Sequence, residues 1–172
     1  EMAVRRYSEK IESFNDSASE YLKRSENSEQ PKIESKDVFR EVGQCFYGLG
    51  EVHDNLHKYS HATDAYKKAL KMDPTHVDCL YDLAMSLFHE KKLEESKKYL
   101  LEFLAKQSSY VGHYSLGLIF AGEGCIKEAL GEFWNCIELT QDGSVSDYYR
   151  GISYHHLGNM KLAEKYLKLS IA

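Results

Sequence analysis

Residues 43–76 of this 172-residue chain read GQCFYGLGEVHDNLHKYSHATDAYKKALKMDPTH. The segment Phe46-Tyr47-Gly48-Leu49-Gly50 inside this stretch recurs further along as LYDLA at 80–84, HYSLG at 113–117 and DYYRG at 147–151. The copies are 34, 33 and 34 residues apart. A period of this length indicates a helical-repeat architecture in which each unit is a pair of helices.

A second small residue follows the first by twelve positions in every copy, and a bulky apolar residue stands four positions beyond it. The small residues are Ala62, Ser96, Ala129 and Ala163, and the bulky ones are Tyr66, Leu100, Phe133 and Leu167. We expect the two small residues of each copy to face each other across a helical hairpin, since only small side chains let helices approach closely. The pattern places four repeats at approximately 43–76, 77–109, 110–143 and 144–172, with hairpin turns near 55–58, 89–92, 122–125 and 157–159.

This pattern resembles the tetratricopeptide repeat (TPR) family, and the resemblance covers about three quarters of the chain. The first copy is the best match, because it closes on Ala69-Leu70-Lys71-Met72-Asp73-Pro74 as the typical repeat of that family does. The resemblance implies an all-α fold, a right-handed superhelical solenoid of antiparallel helix hairpins with a concave inner face. The second copy carries Phe103 at a usually small site. The fourth carries Arg150 where the others carry leucine, and we expect its guanidinium to snorkel over an apolar stem.

Composition limits the class of function. Hydrophobic residues make up 42% of the chain and charged residues 28%, which excludes a disordered segment. The net charge of −5 argues against a nucleic-acid partner, and no apolar run is long enough to span a membrane. We therefore expect a cytoplasmic protein, with nuclear location not excluded. Its cysteines, Cys45, Cys79, Cys125 and Cys136, are expected to be reduced thiols that pack as small hydrophobic residues.

The two ends extend the predicted TPR domain of residues 35–172. Residues 1–24 have an amphipathic helical pattern, and residues 25–34 are a predicted linker. The N-terminal helix is expected to cap the first repeat, to lie in the groove or to contact a second copy. The sequence stops at Ala172 without a capping helix, which suggests either a piece of a longer protein or a terminal surface for self-association.

The resemblance also implies a binding surface, because the first helix of each hairpin lines the concave groove in this family. Tyrosine occupies one site in all four copies, with carboxylates near it in the first two copies and aliphatic residues near it in the later ones. The candidate partner-binding residues are Tyr47, Glu51, Asp78, Tyr81, Asp82, Met85, Tyr114, Leu118, Tyr148 and Ile152. Such a surface is expected to bind a protein or peptide with basic residues at one end and aliphatic ones at the other.

Two functions follow from this reading. The first is a non-enzymatic interaction module or scaffold that binds a partner peptide or helix in its groove. The alternative is an architectural subunit that self-associates, as a homodimer or in a larger complex, through its N-terminal helix and last repeat. Which partner and pathway apply is not encoded in the pattern.

Other chemistries are not favoured by the sequence. The TPR subclass that grips the C-terminal carboxylate of heat-shock 70 and 90 chaperones needs cations at positions occupied here by Tyr47, Glu51, Asp82, Val111 and Ser115. His53, His57 and His61 are four residues apart, but the predicted turn separates them, so neither a metal nor another cofactor is expected. No phosphate-binding loop or nucleophile motif is present to suggest an enzyme.

Overall fold

The computed structural model of the chain describes residues 2, 5, 6, 9, 12, 32–141 and 143–171. Most of the predicted N-terminal helix at 1–24, and of the linker at 25–34, lies outside these residues. The described part of the chain contains eight α-helices and no strand. They are α1 (Lys32–Asn55), α2 (Tyr59–Met72), α3 (Val77–His89), α4 (Leu93–Lys106), α5 (Tyr110–Gly122), α6 (Ile126–Leu139), α7 (Ser144–His156) and α8 (Met160–Leu169).

The predicted hairpin turns are confirmed, because each of them falls between the end of one helix and the start of the next. Every turn contains one residue in the left-handed backbone region, with φ values of 55°, 66°, 79° and 75° at His57, Lys91, Gly124 and Gly158. Glycine adopts this conformation without strain, which explains its presence in the third and fourth turns. The start of α1 was predicted near 35–37 but lies at Lys32, since no helix breaker stands between Pro31 and Phe39.

The chain divides into two compact units, Glu1–Lys92 and Leu93–Ala172. In the first unit α1 packs along α2, and α2 packs on α3. The shared core contains Phe46, Ala62, Tyr66, Leu80 and Leu83, all buried.

In the second unit α5 packs along α6, and α7 packs along α8, so that each pair forms a hairpin. Further contacts join α4 to α5 and α6 to α7. Leu100, Leu116, Ile119, Phe133 and Ile137 form the core of this unit. Two of its helices begin with a side-chain cap, in which Ser109 accepts a hydrogen bond from the Gly112 amide and Asn159 accepts one from the Leu162 amide.

Gly50, Gly117 and Gly151 permit close packing, and the bulky residue of the second helix is the nearest side chain to each of them. A Cβ added to Gly117 would stand 2.7 Å from the Phe133 ring, and one added to Gly50 would stand 2.4 Å from the Tyr66 ring. The first small residue of a copy therefore makes room for the bulky residue of the second helix. The repeat period alone could not show that the first small residue contacts the bulky residue of the second helix. The small and the bulky residue of that helix lie on the same side, four residues apart.

The expectation that Arg150 snorkels into water is wrong. Its side chain is only 13% exposed, and its guanidinium donates hydrogen bonds to the Thr140 hydroxyl at 2.9 Å and to the Thr140 carbonyl at 2.7 Å. The group also lies 4.8 Å over the Tyr166 ring and 3.3 Å from Asp147. Arg150 thus links the C-terminal end of α6 to α7 and α8. The Thr140 carbonyl is left free at this helix end and can therefore accept the hydrogen bond from Arg150. The repeat pattern does not reveal this contact.

All four cysteines are free thiols, and three of them, Cys45, Cys79 and Cys136, are buried as expected, whereas Cys125 is half-buried in the third turn. Among the helices described above, none combines the length and the apolar character needed to cross a membrane.

Candidate functional site

A tyrosine–carboxylate pair lies at the centre of the candidate site in the first unit. Tyr47 on α1 donates a hydrogen bond of 2.7 Å from its hydroxyl to Oδ2 of Asp82 on α3. Tyr47 also lies against His76, with ring centroids 4.4 Å apart. The repeat brings these residues together because the concave-side positions of successive first helices are neighbours.

The pair borders a cleft of about 160 Å³ lined by Glu51, Asp54, Asn55, Tyr66 and Asp82. Tyr66 is buried, and the exposed surface of the cleft is almost entirely polar. Asp54 is oriented by Ser86, whose hydroxyl donates to Oδ1 of Asp54 at 3.0 Å. The cleft is therefore a small, open, acidic depression with two of its carboxylates held in place by hydrogen bonds.

Burial controls the protonation of this site. The pKa of Asp82 is raised to about 6, chiefly by burial and also by the nearby carboxylates Glu51, Asp54 and Asp78, against the lowering effect of the Tyr47 hydrogen bond. Burial and the Asp82 carboxylate together raise the pKa of Tyr47 above its usual range, so Tyr47 is a hydrogen-bond donor at neutral pH.

The carboxylates of this cluster have no basic partner in the described part of the chain. Elsewhere in the unit, Asp73 pairs with Arg40 and Glu90 pairs with Lys92, but no ion pair within residues 32–92 involves Glu51 or Asp54. The same holds there for Asp78 and Asp82. Within residues 32–92 their negative potential is thus not neutralised by an ion pair, and it favours the approach of a cation.

The tyrosines of the second unit form an aromatic cluster centred on Tyr149. Its ring centroid lies 5.4 Å from those of Tyr110 and Tyr114 and 5.5 Å from that of Tyr148. All three contacts are edge-to-face, the arrangement that aromatic rings prefer. Burial raises the pKa of Tyr114 to about 12, which keeps its hydroxyl protonated at neutral pH.

The predicted site residues differ in exposure. Tyr148 is 48% exposed and Asp78 and Glu51 are also exposed, whereas Tyr47, Tyr114 and Asp82 are half-buried. The remaining four, Tyr81, Met85, Leu118 and Ile152, are half-buried. Tyr47, Glu51 and Asp82 therefore come together in one cleft, while Tyr114 and Tyr148 meet through Tyr149.

Several neighbours of these residues were not among the predicted site residues. Asp54, Asn55 and Tyr66 line the acidic cleft, and Tyr110 joins the aromatic cluster. Asp54 and Tyr110 could have been found from helical spacing, because Asp54 lies three residues after Glu51 and Tyr110 four before Tyr114.

The histidines near the first turn do not behave as expected. His53 and His61 meet across the turn with ring centroids 5.3 Å apart, although the turn was expected to separate them. His57 does remain apart, with its Nδ1 3.0 Å from the Tyr59 hydroxyl. A left-handed residue at His57 reverses the chain tightly enough to bring α1 and α2 together at this end. No group of three potential metal-binding side chains occurs in the portion that the structure describes.

Sequence comparison agrees with the repeat geometry. A profile described as tetratricopeptide repeat matches residues 43–76, and a second profile of the same description matches residues 65–98. The chain is a tetratricopeptide repeat protein. The first match thus coincides with the stretch that carries the resemblance in the sequence. No curated protein sequence matches the chain significantly.

Solved structures of other TPR proteins share its fold. MamA from Desulfovibrio magneticus RS-1 is 18% identical, with a TM-score of 0.59 over 94% of this chain and 93% of that one. YrrB, described as a TPR protein with an unusual peptide-binding site, is 20% identical, with a TM-score of 0.55 over 98% and 92%. PilF from Pseudomonas aeruginosa is 17% identical, with a TM-score of 0.59 over 96% and 77%. These similarities confirm an all-α helical-repeat solenoid.

Proposed function

We propose that this TPR protein is a non-enzymatic interaction module that binds a partner protein by seating a basic side chain in the acidic cleft of the first unit. The observation that carries the proposal is the set of carboxylates around the Tyr47–Asp82 hydrogen bond, which lack a basic partner in the described unit. A lysine or arginine side chain of a partner would supply the missing positive charge.

The shape of the cleft supports a side chain as the ligand. Its volume of about 160 Å³ suits a guanidinium or ammonium group with part of its stem, and not a whole peptide. The exposed surface of the cleft is almost entirely polar, and Glu51 and Asp54 offer oxygen acceptors to the charged end. Arginine fits this arrangement best, because its planar group can donate to two carboxylates at once.

The aromatic cluster of the second unit is a second contact surface within the same function. Nearly half of the Tyr148 surface is exposed to solvent. The charged side chains near it on α7 are Asp147 and Arg150, which bond to each other. Such a tyrosine surface favours aliphatic or proline side chains. YrrB is described as having a peptide-binding site, so the same fold is compatible with peptide binding. For this chain, peptide binding is part of the proposal. The carboxylate-clamp type of chaperone binding stays disfavoured, because the cleft has the wrong charge for an acidic C-terminus.

The proposal is tested with a pair of synthetic peptides that share an aliphatic half and differ only in carrying two arginines or two glutamates. Isothermal titration of the full chain should show binding of the arginine peptide only. The double variant Glu51→Gln/Asp54→Asn should weaken that binding about tenfold, because two acceptor charges are lost. The control Glu41→Gln/Asp64→Asn removes the same net charge from exposed positions of the same unit and should change affinity less than about twofold. Equal binding of both peptides, or equal weakening by both double variants, would contradict the proposal.

A further inference from the structure

The outer face of α6 carries two features that no packing among the described residues explains. Trp134, the single tryptophan of the sequence, is 53% exposed and meets only the edge of the Tyr154 ring at a centroid distance of 6.2 Å. Gly131, three residues before it, is exposed, and a Cβ placed there would have nothing within 4 Å. A Cβ added to Gly50, Gly117 or Gly151 would collide with a neighbouring side chain. Gly131 therefore differs from these three glycines, which allow the helices of a hairpin to pack closely. Glycine lowers helix stability relative to alanine, and at this position nothing inside the chain compensates.

These two residues belong to a regular stripe along the helix. Lys127, Gly131, Trp134 and Glu138, here called the α6 seam, are spaced by four, three and four residues and are all exposed. At the α-helical rotation per residue they lie within about 60° of one another, as the contact positions of a paired helix do. The buried side of α6 faces the other way and carries Ala129, Phe133, Cys136 and Ile137.

The seam is complementary to itself when the helix is reversed. A twofold axis crossing α6 between residues 132 and 133 places Trp134 of one copy opposite Gly131 of a second copy. The same axis places Lys127 opposite Glu138. The large ring thus meets the position without a side chain, and the cation meets the carboxylate. Each contact occurs twice, as in any symmetric pair.

The other outer helices show that this complementarity is not a general property of the repeat. The positions equivalent to the seam are Ser60, Asp64, Lys67 and Lys71 on α2, Glu94, Lys98, Leu101 and Ala105 on α4, and Lys161, Lys165 and Lys168 on α8. The three lysines of α8 would repel one another in a reversed pair, and none of these helices combines a large ring with a glycine. A reversed pair of α2 helices would bring Asp64 opposite Lys67, so α6 is distinguished from the other outer helices by the large ring that meets a glycine.

We propose that α6 is a self-association surface, through which two copies of this chain pair antiparallel with each Trp134 seated on Gly131 of the other copy. This proposal goes beyond the binding of a basic partner, because the contact is between two copies of the chain and lies on α6 of the second unit. A single helix pair buries less area than a standard protein interface, so we expect a dissociation constant between about 10 µM and 1 mM.

The test uses the full chain over a dilution series from about 1 µM to about 1 mM, a range that brackets the expected constant. Sedimentation equilibrium gives the mass, and fluorescence gives the state of Trp134. Since the chain has one tryptophan, a blue shift and weaker acrylamide quenching at high concentration report burial at the seam itself. Both readouts should follow the same binding curve.

Two sets of variants make the test specific. Gly131→Glu occupies the empty position and should weaken the dimer at least about tenfold, while its helical circular dichroism stays unchanged because the site is exposed. The matched control is Lys98→Glu at the equivalent position of α4, which should leave the dimer unchanged.

The charge pair is tested by reversal. Lys127→Glu should weaken the dimer roughly threefold to tenfold, and adding Glu138→Lys should restore it, since the swapped pair is again complementary. A chain that stays monomeric with constant Trp134 emission at the highest concentration would overturn the proposal. A dimer whose affinity is unaffected by both Gly131→Glu and the charge reversal would also overturn it, because the contact would then lie elsewhere.

Discussion

The Tyr47 hydroxyl donates to the Asp82 carboxylate at 2.7 Å, and this bond joins the first helix of one repeat to the first helix of the next. The tyrosine is thereby held in a fixed position, and its partner is kept partly buried beside other carboxylates. One hydrogen bond thus has both a structural effect and an electrostatic one, and the first prediction concerns the balance between them.

Asp82 should make stability depend on pH. Because burial raises the folded-state pKa of Asp82 to about 6 from an ordinary value of 3.8, the folded chain binds this proton more tightly than the unfolded chain. The contribution of Asp82 to stability is therefore full below its unfolded pKa and is lost as pH rises through about 6. Asp82→Asn removes that dependence.

Urea unfolding at pH values on both sides of this range measures the effect. On going from about pH 7.5 to about pH 4.5, the wild type should gain on the order of 1–3 kcal/mol relative to Asp82→Asn. Asp64→Asn, at an exposed site on α2, serves as the control and should run parallel to the wild type. Parallel curves for Asp82→Asn and the wild type would show that Asp82 does not titrate in this range.

Two glycines on neighbouring helices should respond in opposite ways to alanine. Gly117→Ala forces its Cβ to within 2.7 Å of the Phe133 ring and should lower the free energy of unfolding by about 1–3 kcal/mol. Gly131→Ala meets no atom within 4 Å and should raise it by about 0.5–1 kcal/mol. Chemical denaturation at low micromolar concentration compares the two, and equal effects would disprove the role assigned to Gly117.

Arg150 should be worth more to stability than an ordinary surface arginine. Arg150→Met removes hydrogen bonds to both the hydroxyl and the carbonyl of Thr140 and should cost about 2–3 kcal/mol. Arg40→Met is the control, since the Arg40 side chain is 72% exposed and lies 3.6 Å from Asp73, and it should cost less than about 0.5 kcal/mol. Similar melting temperatures for the two variants would show that the Thr140 bonds contribute little.

The tyrosines of the second unit should separate into structural and exposed members. Tyr114 packs against Phe133, Tyr149 and His156, so Tyr114→Ala should lower stability by about 2–4 kcal/mol. Tyr148 contacts Tyr149 alone among the described rings and is half exposed, so Tyr148→Ala should cost less than about 1 kcal/mol. Thermal unfolding followed by circular dichroism decides this, and a larger loss for Tyr148→Ala would reverse the assignment.

The sequence was most informative where a feature repeats. The 34-residue period located the hairpins and their turns, because the same packing constraint acts on the Gly50, Gly117 and Gly151 positions. It could not reveal contacts that occur once, such as the Arg150 guanidinium on Thr140 or the meeting of His53 and His61. Those contacts depend on backbone direction at one helix end or in one turn, which a pattern averaged over four copies does not contain.

The candidate site follows the same division. The tyrosine positions could be predicted from the repeat, since they occupy equivalent sites on successive first helices, and the carboxylates Glu51 and Asp82 could be predicted because they lie close to Tyr47 and Tyr81 on those helices. Their separate roles could not, because the Tyr47 hydrogen bond, the burial of Tyr66 beside the cleft and the partial burial of Asp82 arise from three helices together.

The acidic cleft is the central element of the proposed function, and an NMR titration of the ¹⁵N-labelled chain with the arginine peptide tests it most directly. Saturable amide shifts should cluster at Tyr47, Glu51, Asp54, Asn55 and Asp82, and the glutamate peptide should cause none. Shifts confined to other surfaces, or the same shifts with both peptides, would contradict the assignment of this cleft as the site for a basic side chain.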